Sequence, residues 1–206
     1  MRTSTIAVAA AAVALAGVAA MALSPMFRAG DAFADCRDGQ VAGGDIGGPF
    51  TLVNGRGETV TDAEVITQPS IVYFGFATCP DVCPLDLARN GQAVDILEER
   101  GVEATPVFIT VDPERDTPEI VSSYGKAFHP RMVALTGTLD QVDAAADAYR
   151  VYYAKQGDDP ETYLMDHSTY SYIVLPGTGF VDFVNRDETP DAVAERIECF
   201  ARAAEA

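Results

Sequence analysis

The sequence predicts an α/β sandwich. Three observations carry this expectation: strand-like and helix-like patterns alternate from residue 71 onwards, two strand-like runs precede a last helix, and there is neither an internal repeat nor a second set of elements. Alternation of this kind gives parallel strands joined by crossover helices, and the closing pair adds antiparallel edges. With 206 residues and 48% hydrophobic content, a full core is available without disulfides to compensate for small size.

Taken in order, the chain begins with a targeting element. Between Arg2 and Phe27 no side chain ionises, and Ala, Val and Leu dominate. About twenty such residues span a bilayer as a helix, and a leading Arg2 keeps the N-terminus cytoplasmic. Residues 1–27 are therefore expected to form an uncleaved anchor. A cleaved signal peptide is the alternative, since Ala20-Met21-Ala22 and Ala32-Phe33-Ala34 both show the small-x-small pattern that cleavage needs. Either way the domain is exported. Residues 28–48 read as a tether, with Gly39, Gly43, Gly44, Gly47 and Gly48 breaking any periodicity.

The domain proper is expected over residues 49–206. Phe50 to Val53, Asn54-Gly55 and Glu58 to Thr61 form a hairpin signature. Ile71 to Phe76 and Thr105 to Val111 read as buried strands, separated by a helix after Pro84 that carries Leu87, Gly91, Val94 and Leu97 on one side and ends near Gly101. Thr117-Pro118-Glu119 starts a helix running to Phe128, and Met132 to Leu135 is a short strand. Thr138 with Gln141 is a capping box ahead of Leu139, Val142, Ala146 and Tyr149. Thr169 to Leu175 and Phe180 to Val184 pair across Pro176 to Gly179, and Thr189-Pro190-Asp191 opens the last helix with Val193, Ile197 and Phe200 inward. This order is that of a thioredoxin-like fold with an N-terminal β-hairpin extension.

Charge excludes more than it identifies. The net charge is −17, and the first thirty residues carry only Arg2 and Arg28, so the domain is more acidic than the whole. That argues against nucleic acid and anionic headgroups as direct partners of the domain.

The stretch around which the chain is organised is Phe74 to Asp86, where a strand runs into Cys79-Pro-Asp-Val-Cys83-Pro. The two cysteines stand where a strand hands over to a helix, and at i and i+4 of a first helical turn they share a face. A helix N-terminus supplies positive potential and unpaired N–H groups, both favouring thiolate over thiol. Two close thiolates hold a soft metal such as Cu(I), or pass electrons by opening and closing a disulfide. The competing reading is a structural disulfide or two inert thiols.

The second chemical element is Tyr163 to Tyr170. His167, one of two histidines, is expected in a loop feeding a central strand, across from the cysteine turn. Two thiolates with one imidazole suit Cu(II), and the thiolates alone suit Cu(I). Asp166 is a candidate to orient the imidazole, with a loop or cap role as the alternative. Met165 is read as a core or rim residue and His129 as a turn residue. Disulfide oxidoreductases place two residues between their cysteines, whereas this chain has three. Val111 to Pro118 is a charged loop at a strand's C-terminal end, either a partner contact or a turn whose Thr117 caps the next helix. Cys36 and Cys199 stand near the two ends of the domain. A staple, two free thiols and a contact between chains all remain open.

Together, Cys79-Pro-Asp-Val-Cys83-Pro, Val111-Asp-Pro-Glu-Arg-Asp-Thr-Pro, Phe128-His-Pro-Arg, Leu135-Thr-Gly and Asp166-His167-Ser-Thr-Tyr resemble the Sco/SenC family of copper chaperones, from about Phe50 to the last helix. The resemblance implies a membrane-anchored thioredoxin-like domain on the periplasmic side of a bacterial inner membrane, binding one copper, as Cu(I) or Cu(II), through Cys79, Cys83 and His167. It further implies cytochrome c oxidase subunit II as the partner, whose binuclear copper centre the protein helps to build. Cys36 and Cys199 lie outside that pattern. The alternative function is a membrane-tethered thiol–disulfide reductase in which Cys79 and Cys83 are a redox dithiol that keeps the subunit's cysteines reduced. A peroxide-reducing enzyme on a related fold is a third reading.

Overall fold

The computed structural model describes residues 32–37, 46–159 and 162–205. The expected anchor over residues 1–27 lies outside them, as does most of the tether. Among the described residues no helix is long and apolar enough to cross a membrane. Contacts divide the chain after Asp35, and the description below concerns the unit from Cys36 onwards.

The hairpin is formed by β1 (Thr51–Asn54) and β2 (Thr59–Thr61). Its turn is tied by Asn54, whose Oδ1 accepts from the amides of Arg56 and Glu58. A one-turn helix not anticipated from the sequence, α1 (Asp62–Val65), follows; the Thr61 amide donates to Glu64 in a capping box. Then come β3 (Ser70–Gly75), α2 (Val82–Glu99), β4 (Thr105–Thr110), α3 (Pro118–Phe128), β5 (Val133–Thr136) and α4 (Leu139–Ala148). The chain ends with β6 (Tyr153–Gln156), β7 (Leu164–His167), β8 (Ser171–Leu175), β9 (Gly179–Val184) and α5 (Pro190–Ala204). The caps read from sequence are in place: Thr117, Thr138 and Thr189 each accept from the amide three residues on.

Seven strands form one mixed sheet in the order β2-β1-β5-β4-β3-β8-β9. β3, β4 and β5 are parallel, as short strands joined by crossover helices require. β8 runs antiparallel beside β3, with Tyr73 opposite Ser171. Alternation along β3 sends Tyr73 and Phe74 to opposite faces. Tyr73 points to α2, which packs against α3 and α5. Phe74 points to the other layer, where Tyr149 at the end of α4 and Tyr172 stack on it with ring centroids 5.4 and 5.9 Å away. The core lies on both faces of β3 and β4, whose Ile71, Tyr73, Phe74, Phe108 and Ile109 are fully buried.

Two departures from the sequence reading matter for the site. β6 and β7 form a separate two-stranded ribbon, so His167 ends a strand instead of sitting in a loop. α2 begins at Val82, so Cys83 lies in its first turn while Cys79 precedes the helix in a turn closed by its own amide to the Phe76 carbonyl at 3.2 Å. The two cysteines therefore do not share a helical turn. Of the other pair, Cys36 and Cys199 form a disulfide with Cα atoms 5.6 Å apart, joining the tether segment to α5. Gly47 also anchors that tether, its amide donating to the Ala148 carbonyl.

Candidate metal centre

Three segments converge at the C-terminal end of β3. The strand delivers Gly75 and Phe76, the turn and first helical residues deliver Cys79 and Cys83, and the ribbon delivers His167. The ligand atoms of Cys79, Cys83 and His167 all lie within 4.8 Å of one another. Donors on one metal at about 2.0–2.3 Å stand about 3.5–4 Å apart in a trigonal or tetrahedral array, so the set matches a single small ion. Two soft sulfurs and an imidazole nitrogen are donors suited to copper. The residues present fit that metal.

Cys83 is fully buried and Cys79 partly so. Space for the Cys83 sulfur exists because residue 75 is glycine: a Cβ there would lie 2.9 Å from Sγ and 2.8 Å from the Tyr73 ring. The Cys83 amide, unpartnered within the helix as first-turn amides are, donates to Cys79 Sγ at 3.4 Å. The Cys83 thiol beside it holds Cys79 down at about 3; burial opposes this, while His167 and the amides of Asp81 and Cys83 reinforce it. Cys83 is pushed up by the same thiol-to-thiolate hydrogen bond and by burial. The metal-free site thus pairs a partly accessible thiolate with a buried thiol.

His167 is oriented through its own backbone. Nδ1 lies 2.8 Å from the Ser168 carbonyl, which only accepts, so Nδ1 carries a proton and Nε2 is the nitrogen left to face the cysteines. Nε2 faces Cys83 Sγ at 3.4 Å. Ser168 is locked in turn by its amide, which donates to the Tyr152 carbonyl, and by its Oγ, which accepts from the Tyr152 amide. Phe76 and Tyr73 present edge-to-face rings at 5.8 and 6.1 Å and close the imidazole in. Asp166 does not orient it: strand alternation turns it away, and its carboxylate accepts from Gln156 on the neighbouring strand. Met165 is buried. His129 is also buried, with Nε2 on Asp95 and Nδ1 accepting the Arg131 amide, so it closes the end of α3.

The charged loop after β4 braces both halves of the site. Buried Asp116 accepts from the Ala77 amide at 2.9 Å and the Thr110 hydroxyl at 2.5 Å, which fixes the turn before Cys79. Asp112 accepts from the Tyr163 hydroxyl at 2.5 Å and from Arg115 at 2.6 Å, and Arg115 also donates to the Tyr163 carbonyl. Tyr163 leads into β7, so the loop also holds the ribbon. Thr117 performs the capping expected of it. Sequence reasoning offered only a turn or a partner contact here. The two aspartates were visible, but the amide and phenol they hold lie 39 and 51 residues away.

The SCO1/SenC family model matches residues 39–202. Protein SenC of Rhodobacter capsulatus is 50% identical over 202 residues, covering 97% of this chain and 90% of its own. This chain belongs to the SCO1/SenC family. Two solved Sco structures share its fold. Arabidopsis thaliana ScoI with copper bound has a TM-score of 0.71 and 40% identity, with 76% of this chain and 99% of that one covered. Bradyrhizobium japonicum ScoI with copper bound has a TM-score of 0.68 and 33% identity, covering 74% and 98%. The chain spans about half the length of the plant and human mitochondrial SCO1 homologues it matches, 46% and 53%. BsSco, a member of the Sco family of cytochrome c oxidase assembly proteins, shares the fold at a TM-score of 0.57 and 19% identity, covering 74% of this chain and 94% of its own.

Proposed function

We propose that this protein is a copper chaperone whose Cys79, Cys83 and His167 hold one copper ion and which helps to build the binuclear copper centre of cytochrome c oxidase subunit II. The observation that carries the reading is the convergence of two sulfurs with an imidazole whose other nitrogen is already committed to a carbonyl. Copper is the cargo. Cys79 and Cys83 supply soft donors for Cu(I), and His167 Nε2 completes a three-donor set for Cu(II). Membrane anchoring through residues 1–27, with the domain on the periplasmic side, belongs to the same reading. The Cys36–Cys199 disulfide supports an oxidising compartment.

The test is copper stoichiometry of the full chain beside His167→Ala and a Cys79→Ser/Cys83→Ser double variant. The expected result is one copper per chain, sulfur-to-copper charge-transfer absorption lost in the double variant, and a changed Cu(II) spectrum in His167→Ala. Copper binding indifferent to all three residues would overturn the reading.

The thiol asymmetry favours a second activity, reduction of the partner's disulfide. Cys79 thiolate attacks a sulfur of that disulfide, releasing one partner thiolate and forming a mixed disulfide. Cys83, on losing its proton, attacks Cys79 and releases the second partner thiolate. The partner gains two electrons and this protein ends with a Cys79–Cys83 disulfide. Reduction of a disulfide peptide by the metal-free protein, lost in Cys79→Ser, is the expected outcome.

A further inference from the structure

Behind Cys83 the helix carries a buried polar stripe that the ligand set does not use. Cys83, Asp86, Arg89 and Asn90 recur at three- and four-residue spacing and so share one face of α2. All four are buried, Asp86 to within 2% of full burial. Arg89 Nη1 pairs with Asp86 Oδ1 at 3.1 Å and donates to the Asn185 carbonyl at 2.8 Å. Arg89 and Asn90 both donate to Ser171 Oγ on β8. Asp86 Oδ2 accepts no hydrogen bond, and its second cation is Arg186, at the surface, 3.6 Å away. On the sheet side stands the Tyr73 hydroxyl, buried and without a hydrogen bond of good geometry, within electrostatic reach of both Cys83 and Asp86.

A carboxylate in this position is costly to the fold. Burying it costs several kcal/mol unless cations offset the loss of water, and an apolar residue of similar volume would fill the space with less penalty. Its neighbours three residues away on the helix are Cys83 on one side and Arg89 on the other. Two thiolates and a neutral imidazole leave the centre at −1 with Cu(I) and neutral with Cu(II). Burial raises the Asp86 carboxyl above its ordinary range while Arg89 and Arg186 oppose that rise; in its ionised form, one helical turn away in a poorly screened interior, it raises the energy of the Cu(I) state relative to the Cu(II) state.

We propose that Asp86, held by Arg89 and Arg186 behind Cys83, is a positioning residue that sets the balance between Cu(I) and Cu(II) in the centre. The inference rests on the three-ligand copper reading. Asp86 touches no metal. It acts through the potential at the Cys83 sulfur, and the two arginines trim that potential from the far side. Two variants shift the local charge in opposite senses. Asp86→Asn keeps the shape and removes a negative charge, while Arg186→Gln removes a positive charge at the surface.

The experiment measures Cu(I) and Cu(II) affinities of the full chain separately, without oxygen, by competition with chelators selective for each ion. Asp86→Asn is expected to raise the ratio of Cu(I) to Cu(II) affinity by about tenfold, the scale of one partly screened charge at this range. Arg186→Gln is expected to lower it by about three- to fourfold. A purely structural role would weaken both ions together in either variant. Ratios that stay within twofold, or that move in the same direction in both variants, overturn the inference while one bound copper leaves the proposed function standing. Wild-type protein that binds no copper overturns both. Should Asp86→Asn reduce the folded fraction, Arg186→Gln decides alone, since its side chain is half exposed and its removal leaves the packed stripe intact.

Discussion

Two cysteine pairs stand in this chain, and they differ in everything except their side chains. Cys36 and Cys199 are 163 residues apart in sequence and joined; Cys79 and Cys83 are four apart and free. The first pair links the tether segment to the last helix, and as a disulfide neither cysteine titrates. The second sits where β3 meets α2, with a helix amide and a buried thiol acting on the Cys79 sulfur and an imidazole against the Cys83 sulfur. A cross-link over a long loop stabilises chiefly by restricting the unfolded chain. A pair four residues apart closes almost no loop, so its value is chemical. Position, not residue type, separates staple from reactive centre.

The largest expected effect that would break this contrast comes from removing the staple. Cys36→Ser/Cys199→Ser should lose about 2–5 kcal/mol of unfolding free energy in denaturant titrations while still binding one copper. If copper binding fell with the disulfide, the two pairs would be coupled and the division wrong. Next is Gly75→Ala, whose new Cβ meets the Tyr73 ring and Cys83 Sγ below 3 Å. Overpacking of that kind costs about 1–3 kcal/mol, and here it should also weaken copper binding, because the displaced atom is one of the proposed copper ligands. Thr117→Ala removes the acceptor for the Ile120 amide and should cost about 1 kcal/mol with copper stoichiometry unchanged.

The smallest effect sharpens the reactive side. With Cys79 held at about 3, its charged form persists as the pH falls. Its alkylation rate in the metal-free protein should therefore stay level from pH 8 to pH 5. An ordinary thiol, with a pKa near 8.5, would lose about tenfold per pH unit over that range. A slope of that kind at Cys79, read by mass spectrometry of the labelled peptide, would remove the thiolate assignment.

Much of this was legible in the residues. Runs such as Ile71 to Phe76 and Thr105 to Val111 are long enough to read as buried strands. Proline after a capping threonine marks the starts of α3 and α5 without tertiary help. The ribbon was not legible. Tyr153–Gln156 and Leu164–His167 are four-residue strands with mixed exposure, and each is a strand only because the other pairs with it. One of the two roles open to Asp166, orienting the imidazole, failed for the same reason: once His167 lies on a strand, its neighbour must point the other way.

The sequence by itself determined the class of fold, the ligand candidates and the place of the cysteines between a strand and a helix. These follow from periodicity and local chemistry, which act over a few residues. Tertiary structure decided that Cys36 and Cys199 pair, and which cysteine is thiolate. It also placed Asp112 and Asp116 to brace the site and Asp86 and Arg89 to back it. Each of those depends on atoms brought together across many residues. A buried carboxylate's meaning depends on which donors the fold sets against it, and no local pattern records that.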